Sequence, residues 1–210
     1  HDLPNSVFVT EDNLVTLPSI DVFHAKVKGR DFVFLTGDAQ PSEERASYEL
    51  SSLIIGFLKR FSCEEVITLG GIGLNDVPVD PHVFVTGNSK DAVKPYKKLG
   101  ADGNIFGVVG PIIGVSGLLL ALSSEHDIPA VCLLGETFGH PMYIGLNEAR
   151  VVISILDERF SFGIDYTDID EEIDLLQDEM GQLDAPAGKS RKAGTKHAKF
   201  LKYKDMNYIG

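Results

Sequence analysis

The spacing of apolar and polar positions predicts alternating short strands and amphipathic helices. Val7-Phe8-Val9-Thr10 reads as a short strand, and residues 22–28 and 31–36 flank a tight Lys28-Gly29-Arg30 turn, a hairpin signal. Gly37-Asp38-Ala39-Gln40-Pro41 reads as a loop. Ser42 is then placed to cap a helix, with Glu43 and Glu44 at its positive end. That helix carries Ala46, Leu50, Leu53, Ile54, Phe57, Leu58 and Phe61 on one expected face. Strands are predicted at 66–69, 83–86, 105–109 and 130–134, and helices at 89–99, 111–124 and 147–160. The last of these turns Ala149, Val152, Ile153 and Leu156 inward. A final helix opens with Thr167 as its cap and Asp170 at the capping-box position. Ile169, Ile173, Leu176 and Met180 form a narrow apolar stripe on this otherwise acidic rod, which suits packing on the body or a subunit contact.

Strands followed by glycines and alternating with helices indicate an α/β fold with helices on both faces of the sheet, a three-layer sandwich. The early hairpin is expected to make the central sheet mixed rather than parallel. Three parts follow: an α/β core at 1–164, an acidic amphipathic helix at 165–183, and a basic linker with a C-terminal tail at 184–210. The linker has almost nothing to bury and reads as flexible. Apolar residues return at Phe200, Leu201, Tyr203, Met206, Tyr208 and Ile209. A spacer ending in Met206, Asn207, Tyr208, Ile209 and Gly210 has the form of a tethered peptide ligand, as against a frayed terminus.

Composition narrows the class. The chain of 210 residues is 43% hydrophobic and 24% charged, ordinary for a globular protein. A net charge of −12 argues against nucleic acid as a partner of the body. No apolar run is long enough to span a bilayer, so no membrane partner is expected. Cys63 and Cys132 are far apart in apolar surroundings, which predicts buried thiols and a cytoplasmic setting. The opening His1-Asp2-Leu3-Pro4 has neither an initiator Met nor signal-peptide features, and is read as the start of a fragment.

Candidate chemistry is thin. Three glycine-rich segments follow strands: Gly70-Gly71-Ile72-Gly73, residues 110–117, and residues 135–145. Ligands in α/β folds bind at the carboxyl ends of strands, so a site belongs there. None of these segments carries Lys or Arg, which favours tight turns over phosphate binding. Glu136 and His140 have a metal-like helical spacing, but Gly135, Gly139 and Pro141 place them in a loop. Asp76 and Asp80 flank Pro78 and suit a turn. No metal site, cofactor or catalytic set is expected. The alternative to a binding protein is a nucleoside phosphorylase or hydrolase using Glu136, His140 and Asp38. A nucleotide-dependent ligase ranks below both, since no ATP-binding set is visible.

Four motifs in order resemble one family: Thr36-Gly37-Asp38-Ala39-Gln40-Pro41, Gly70-Gly71-Ile72-Gly73, residues 110–120, and residues 136–143 with His140-Pro141. The resemblance is to the archaeal proteasome assembly chaperone family, similar to a eukaryotic proteasome assembling chaperone, and covers about residues 3–160. It implies a fold similar to purine nucleoside phosphorylases, a homo-oligomer, and a non-catalytic role in proteasome assembly or activation. It also implies a hydrophobic–tyrosine–any-residue C-terminal tail that inserts between α-subunits of the proteasome core particle. Tyr208 is the matching position, but it stands third from the end and Asn207 replaces the preceding hydrophobic residue. A proteasome-associated ATPase is the alternative target. The family opens with a strand and a glycine-rich loop, which this resemblance places upstream of His1.

Overall fold

The computed structural model describes residues 7–107, 110–140 and 143–183, with side chains of the last helix described to residue 176. Two short strands, β1 (Phe8–Val9) and β2 (Val15–Thr16), pair antiparallel. Strands β3 (Ile20–Val27) and β4 (Arg30–Gly37) form the expected hairpin, in register from Ile20 opposite Gly37 to Val27 opposite Arg30. Its two-residue turn puts both Lys28 (φ 47°) and Gly29 (φ 83°) in the left-handed region. That matches the right-handed twist of the strands, and only glycine reaches such angles without steric cost.

Helix α1 (Glu44–Arg60) starts later than its predicted cap. Glu43, not Ser42, holds the extended cap position, and no side chain caps the helix. The buried face is also rotated. Ala46, Ser47, Ser51, Ile54 and Ile55 are buried, while Leu53 is 72% exposed and Phe61 65%. Serines count as core here because their hydroxyls are satisfied locally. Ser51 Oγ donates to the Ser47 carbonyl (2.7 Å), and Ser47 Oγ to the Glu43 carbonyl (3.0 Å). Their small volume lets α1 lie close on α3 (Val115–Ser124), where Ile54 and Ile55 meet Leu119. That helix begins four residues later than expected, after Gly114 at φ 85°.

The central sheet has the order β5 (Val66–Leu74), β7 (Ala130–Phe138), β6 (Val83–Gly87). Strand β5 runs parallel to β7 and β6 antiparallel to it. The sheet is mixed, as expected, but for a different reason: the early hairpin forms a sheet of its own, and β6 supplies the reversed direction. Gly70-Gly71-Ile72-Gly73 is not a loop but the second half of β5. The glycines make room for neighbours: a Cβ at Gly70 would lie 2.9 Å from the Leu134 side chain, and one at Gly71 2.9 Å from Thr137. Glu136 likewise belongs to β7 rather than to a loop. Residues 105–107 form no strand, against expectation; Asp102 makes an isolated bridge to Phe84.

Alternation along β6 and β7 divides the core. Val83, Val85, Val131 and Leu133 pack with Ala92 and Tyr96 of α2 (Lys90–Lys98) and Val152 and Ile155 of α4 (Leu146–Phe160). On the other face, Phe84, Ala130, Cys132 and Leu134 pack with Leu120 of α3 and Leu58 of α1. Helices therefore cover both faces. Each such buried aliphatic side chain contributes about 1.5–3 kcal/mol of transfer free energy. Cys132 is buried and Cys63 half-buried, both as free thiols, and burial raises the pKa of each. Within α4, Glu148 rather than Ala149 faces inward.

Helix α5 (Thr167–Leu183) packs on α4. Asp165 Oδ1 accepts from the Thr167 N–H (3.0 Å) and hydroxyl (2.6 Å). Asp170 does not complete a capping box; it turns to Arg150 of α4.

Candidate functional site

The tail, Met206 to Gly210, lies outside the described residues. Of the apolar stripe on α5, Ile173 is buried, Ile169 and Leu176 are half-buried, and the Met180 side chain lies outside the described residues. The orientation is fixed by a two-pronged ion pair from Arg150 Nε (2.6 Å) and Nη2 (3.2 Å) to the Asp170 carboxylate. The Arg150 guanidinium also sits 4.4 Å from the Tyr166 ring centre, and Tyr166 donates to Asp157 (3.2 Å). The guanidinium holds Asp170 below the ordinary carboxylate range.

The carboxyl end of β7 gathers the polar residues that sequence placed in a loop. Glu136 Oε2 accepts the His82 backbone N–H (3.0 Å) and lies 3.4 Å from His82 Nδ1. Phe138 stacks on His140 at 5.7 Å and meets Tyr143 edge-on at 5.6 Å. Tyr143 Oη donates to Glu148 Oε1 (2.9 Å). Burial, and then the Glu148 carboxylate, push the Tyr143 hydroxyl up to about 12. Asp38 belongs elsewhere: it accepts the Ser19 N–H (2.9 Å) at the base of the hairpin. Gln40, in the next loop, takes the Val115 N–H at the start of α3 (3.3 Å). Among the described residues no three of His, Cys, Asp and Glu are grouped to hold a metal ion. Thr137, Tyr143 and Glu148 were not singled out from sequence. The available signal was Glu148 three residues after Gly145, the spacing of a helix start.

The hairpin is the other unusual region. Phe32 packs edge-on against Phe160 (5.2 Å) and Phe162 (4.9 Å), and Arg30 pairs with Glu64 (3.1 Å). Away from that anchor, Val22, Phe23, Val33, Phe34 and Leu35 are each exposed by 42–56%. The outer edges of β3 and β4 pair with no strand among the described residues. A lone two-stranded ribbon is marginal in water, and exposed apolar side chains, Val22, Val33 and Leu35 on one face and Phe23 and Phe34 on the other, suit an interaction surface.

Comparison with known proteins bears on both regions. A family model described as the PAC2 family matches residues 1–184. An uncharacterized protein of Methanocaldococcus jannaschii is 24% identical over 214 residues, covering all of this chain and 79% of that protein. The crystal structure of Pyrococcus furiosus PbaB, an archaeal proteasome activator, is similar with a TM-score of 0.76 and 23% identity, over 87% of this chain and 78% of that one. That of Pyrococcus furiosus PbaA, an archaeal homolog of proteasome-assembly chaperone, gives 0.62 and 21%, over 78% and 76%.

Proposed function

The chain belongs to the PAC2 family, and from that premise we propose that it is a non-enzymatic, homo-oligomeric chaperone or adaptor of the proteasome system. The observation that carries this reading is the family match together with the fold it shares with a proteasome activator. The body, read as similar in architecture to purine nucleoside phosphorylases, supplies a scaffold. Its glycine-rich segments lack the cation that phosphate chemistry wants, and Asp38 is committed to Ser19, away from Glu136. The protein acts in the cytoplasm.

Self-association is supported by the bare apolar hairpin. The half-buried ends of the α5 stripe, Ile169 and Leu176, add a second contact between subunits. The tail, with Tyr208 between Asn207 and Ile209, contacts the core-particle α-subunits, or failing that the associated ATPase. Several tails on one oligomer raise the effective concentration, so overall binding exceeds that of one tail by about 10²–10⁴-fold.

The test is capture of purified core particle and purified ATPase by the full chain and by a chain ending at Asp205. The reading expects capture of one of them by the full chain and its loss on truncation. Equal capture by both chains moves the contact to the body, and capture of neither component by the full chain overturns the proteasome assignment.

A further inference from the structure

Helix α2 is out of keeping with the rest of the chain. The protein carries a net charge of −12, yet α2 holds Lys90, Lys94, Lys97 and Lys98 against Asp91 alone. The helix dipole favours Lys97 and Lys98 in the last turn, but not Lys90 in the first. Lys90, Lys94 and Lys98 also stand four residues apart in one row, where like charges repel. All four lysines are exposed, and none makes an ion pair among the described residues. Beside this row lies a groove of about 310 Å³ between α2 and α4. It brings the half-buried Pro95 and Leu99 together with Lys94 and Lys98, and with Glu158 and Arg159 of α4. Helix α5 carries the converse arrangement. Ile173 is buried, while Leu175 is 52% exposed. Three and four residues before and after Leu175 stand Glu171, Glu172, Asp178 and Glu179, its neighbours along a helix. Glu171 and Glu172 are exposed and, like the lysines of α2, make no ion pair among the described residues.

We propose that α5 of one subunit docks in the α2–α4 groove of a second copy of this chain. Leu175 lies against Pro95 and Leu99, and Glu171 and Glu172 face Lys94 and Lys98. A second copy is the occupant because both halves of the match, an apolar centre among ammonium groups and an apolar centre among carboxylates, stand on the same chain. A nucleic-acid backbone answers the lysines but leaves Pro95 and Leu99 unmatched. Asp91 and Glu158 also line the groove and repel a misplaced carboxylate, which helps to fix the register. The inference rests on the homo-oligomer reading above. Exposed ion pairs and one leucine hold two chains only weakly by themselves, so the contact reinforces subunits that the hairpin already joins.

The test is dissociation of the full chain on dilution, followed by sedimentation velocity at low salt, where exposed charges are least screened. Lys94→Glu with Lys98→Glu should raise the dissociation midpoint about tenfold or more, and Glu171→Lys with Glu172→Lys should do the same. The chain carrying all four changes again has opposite charges across the contact, and its midpoint should return to within about threefold of the parent's. Leu175→Ser, which alters no charge, should also raise the midpoint. Recovery in the fourfold variant shows that the two sets of charges face each other, a result that loss of folding cannot mimic. Midpoints indifferent to both charge reversals, or a fourfold variant as weak as either pair alone, overturn the inference and leave the homo-oligomer reading standing. A parent chain that is monomeric at every concentration overturns both.

Discussion

The central sheet and the β3–β4 hairpin are built from similar letters but end in opposite circumstances. Strands β6 and β7 have both faces covered by helices, and Ala130, Val131, Cys132 and Leu133 are fully buried. The hairpin has comparable β-branched and aromatic content, yet none of its residues is fully buried, and Ile20, Ala25, Val27 and Phe32 are half-buried, Phe32 against Phe160 and Phe162. Period-two alternation decides burial only where a second layer exists to receive each face. One region is complete within the chain, and the other has the form of a surface waiting for company.

The largest expected effect lies in the complete region. Leu133→Ala should cost about 2–5 kcal/mol of global stability, read as a shift in the denaturation midpoint. A shift no larger than that of a surface variant would mean the sheet is not the core of the unit. Phe32→Ala should act locally. It removes the anchor of the hairpin, at about 2 kcal/mol of docking. Hydrogen exchange should quicken along Ile20–Val27 and Arg30–Gly37 while Ala130–Phe138 keeps its protection. Uniform loss across both would erase the distinction. The smallest effect concerns α5. The pKa of Asp170 is lowered by Arg150, so the stability it lends is present above the ordinary carboxylate value and lost as pH falls through the lowered one. Acid should therefore loosen α5 from α4 before the core responds, and Arg150→Gln should remove that pH dependence. Amide exchange in α5 measured from neutral to acid pH checks both.

Much of this was legible in the sequence. The hairpin turn, the strands expected at 83–86 and 130–134, the two free thiols and the alternating α/β order all follow from local chemistry, although the second strand runs on to Phe138. What misled was glycine. Gly70 and Gly71 read as a loop because their role, clearing space for Leu134 and Thr137, exists only once the strands have paired. Serine misled in the same way in α1, where Ser47 and Ser51 form the buried face because their hydroxyls bond backbone carbonyls. The close packing of Thr137 and Glu148 on Gly145 was hidden for a further reason. It joins a strand and a helix start that sequence reading ended or began elsewhere. The resemblance between motifs named the family before any of these details was in place.

The contrast between a finished core and an unfinished hairpin is tested most directly by sedimentation equilibrium of the full chain and of the double variant Val22→Lys, Leu35→Lys. Both residues lie on one face of the hairpin, opposite each other and away from Phe32. The account predicts an oligomer for the parent chain and a mass near 22.9 kDa for the variant, with the denaturation midpoint of the body unchanged. A parent chain that sediments as a monomer, or a variant that keeps the parent's oligomeric mass, would contradict it.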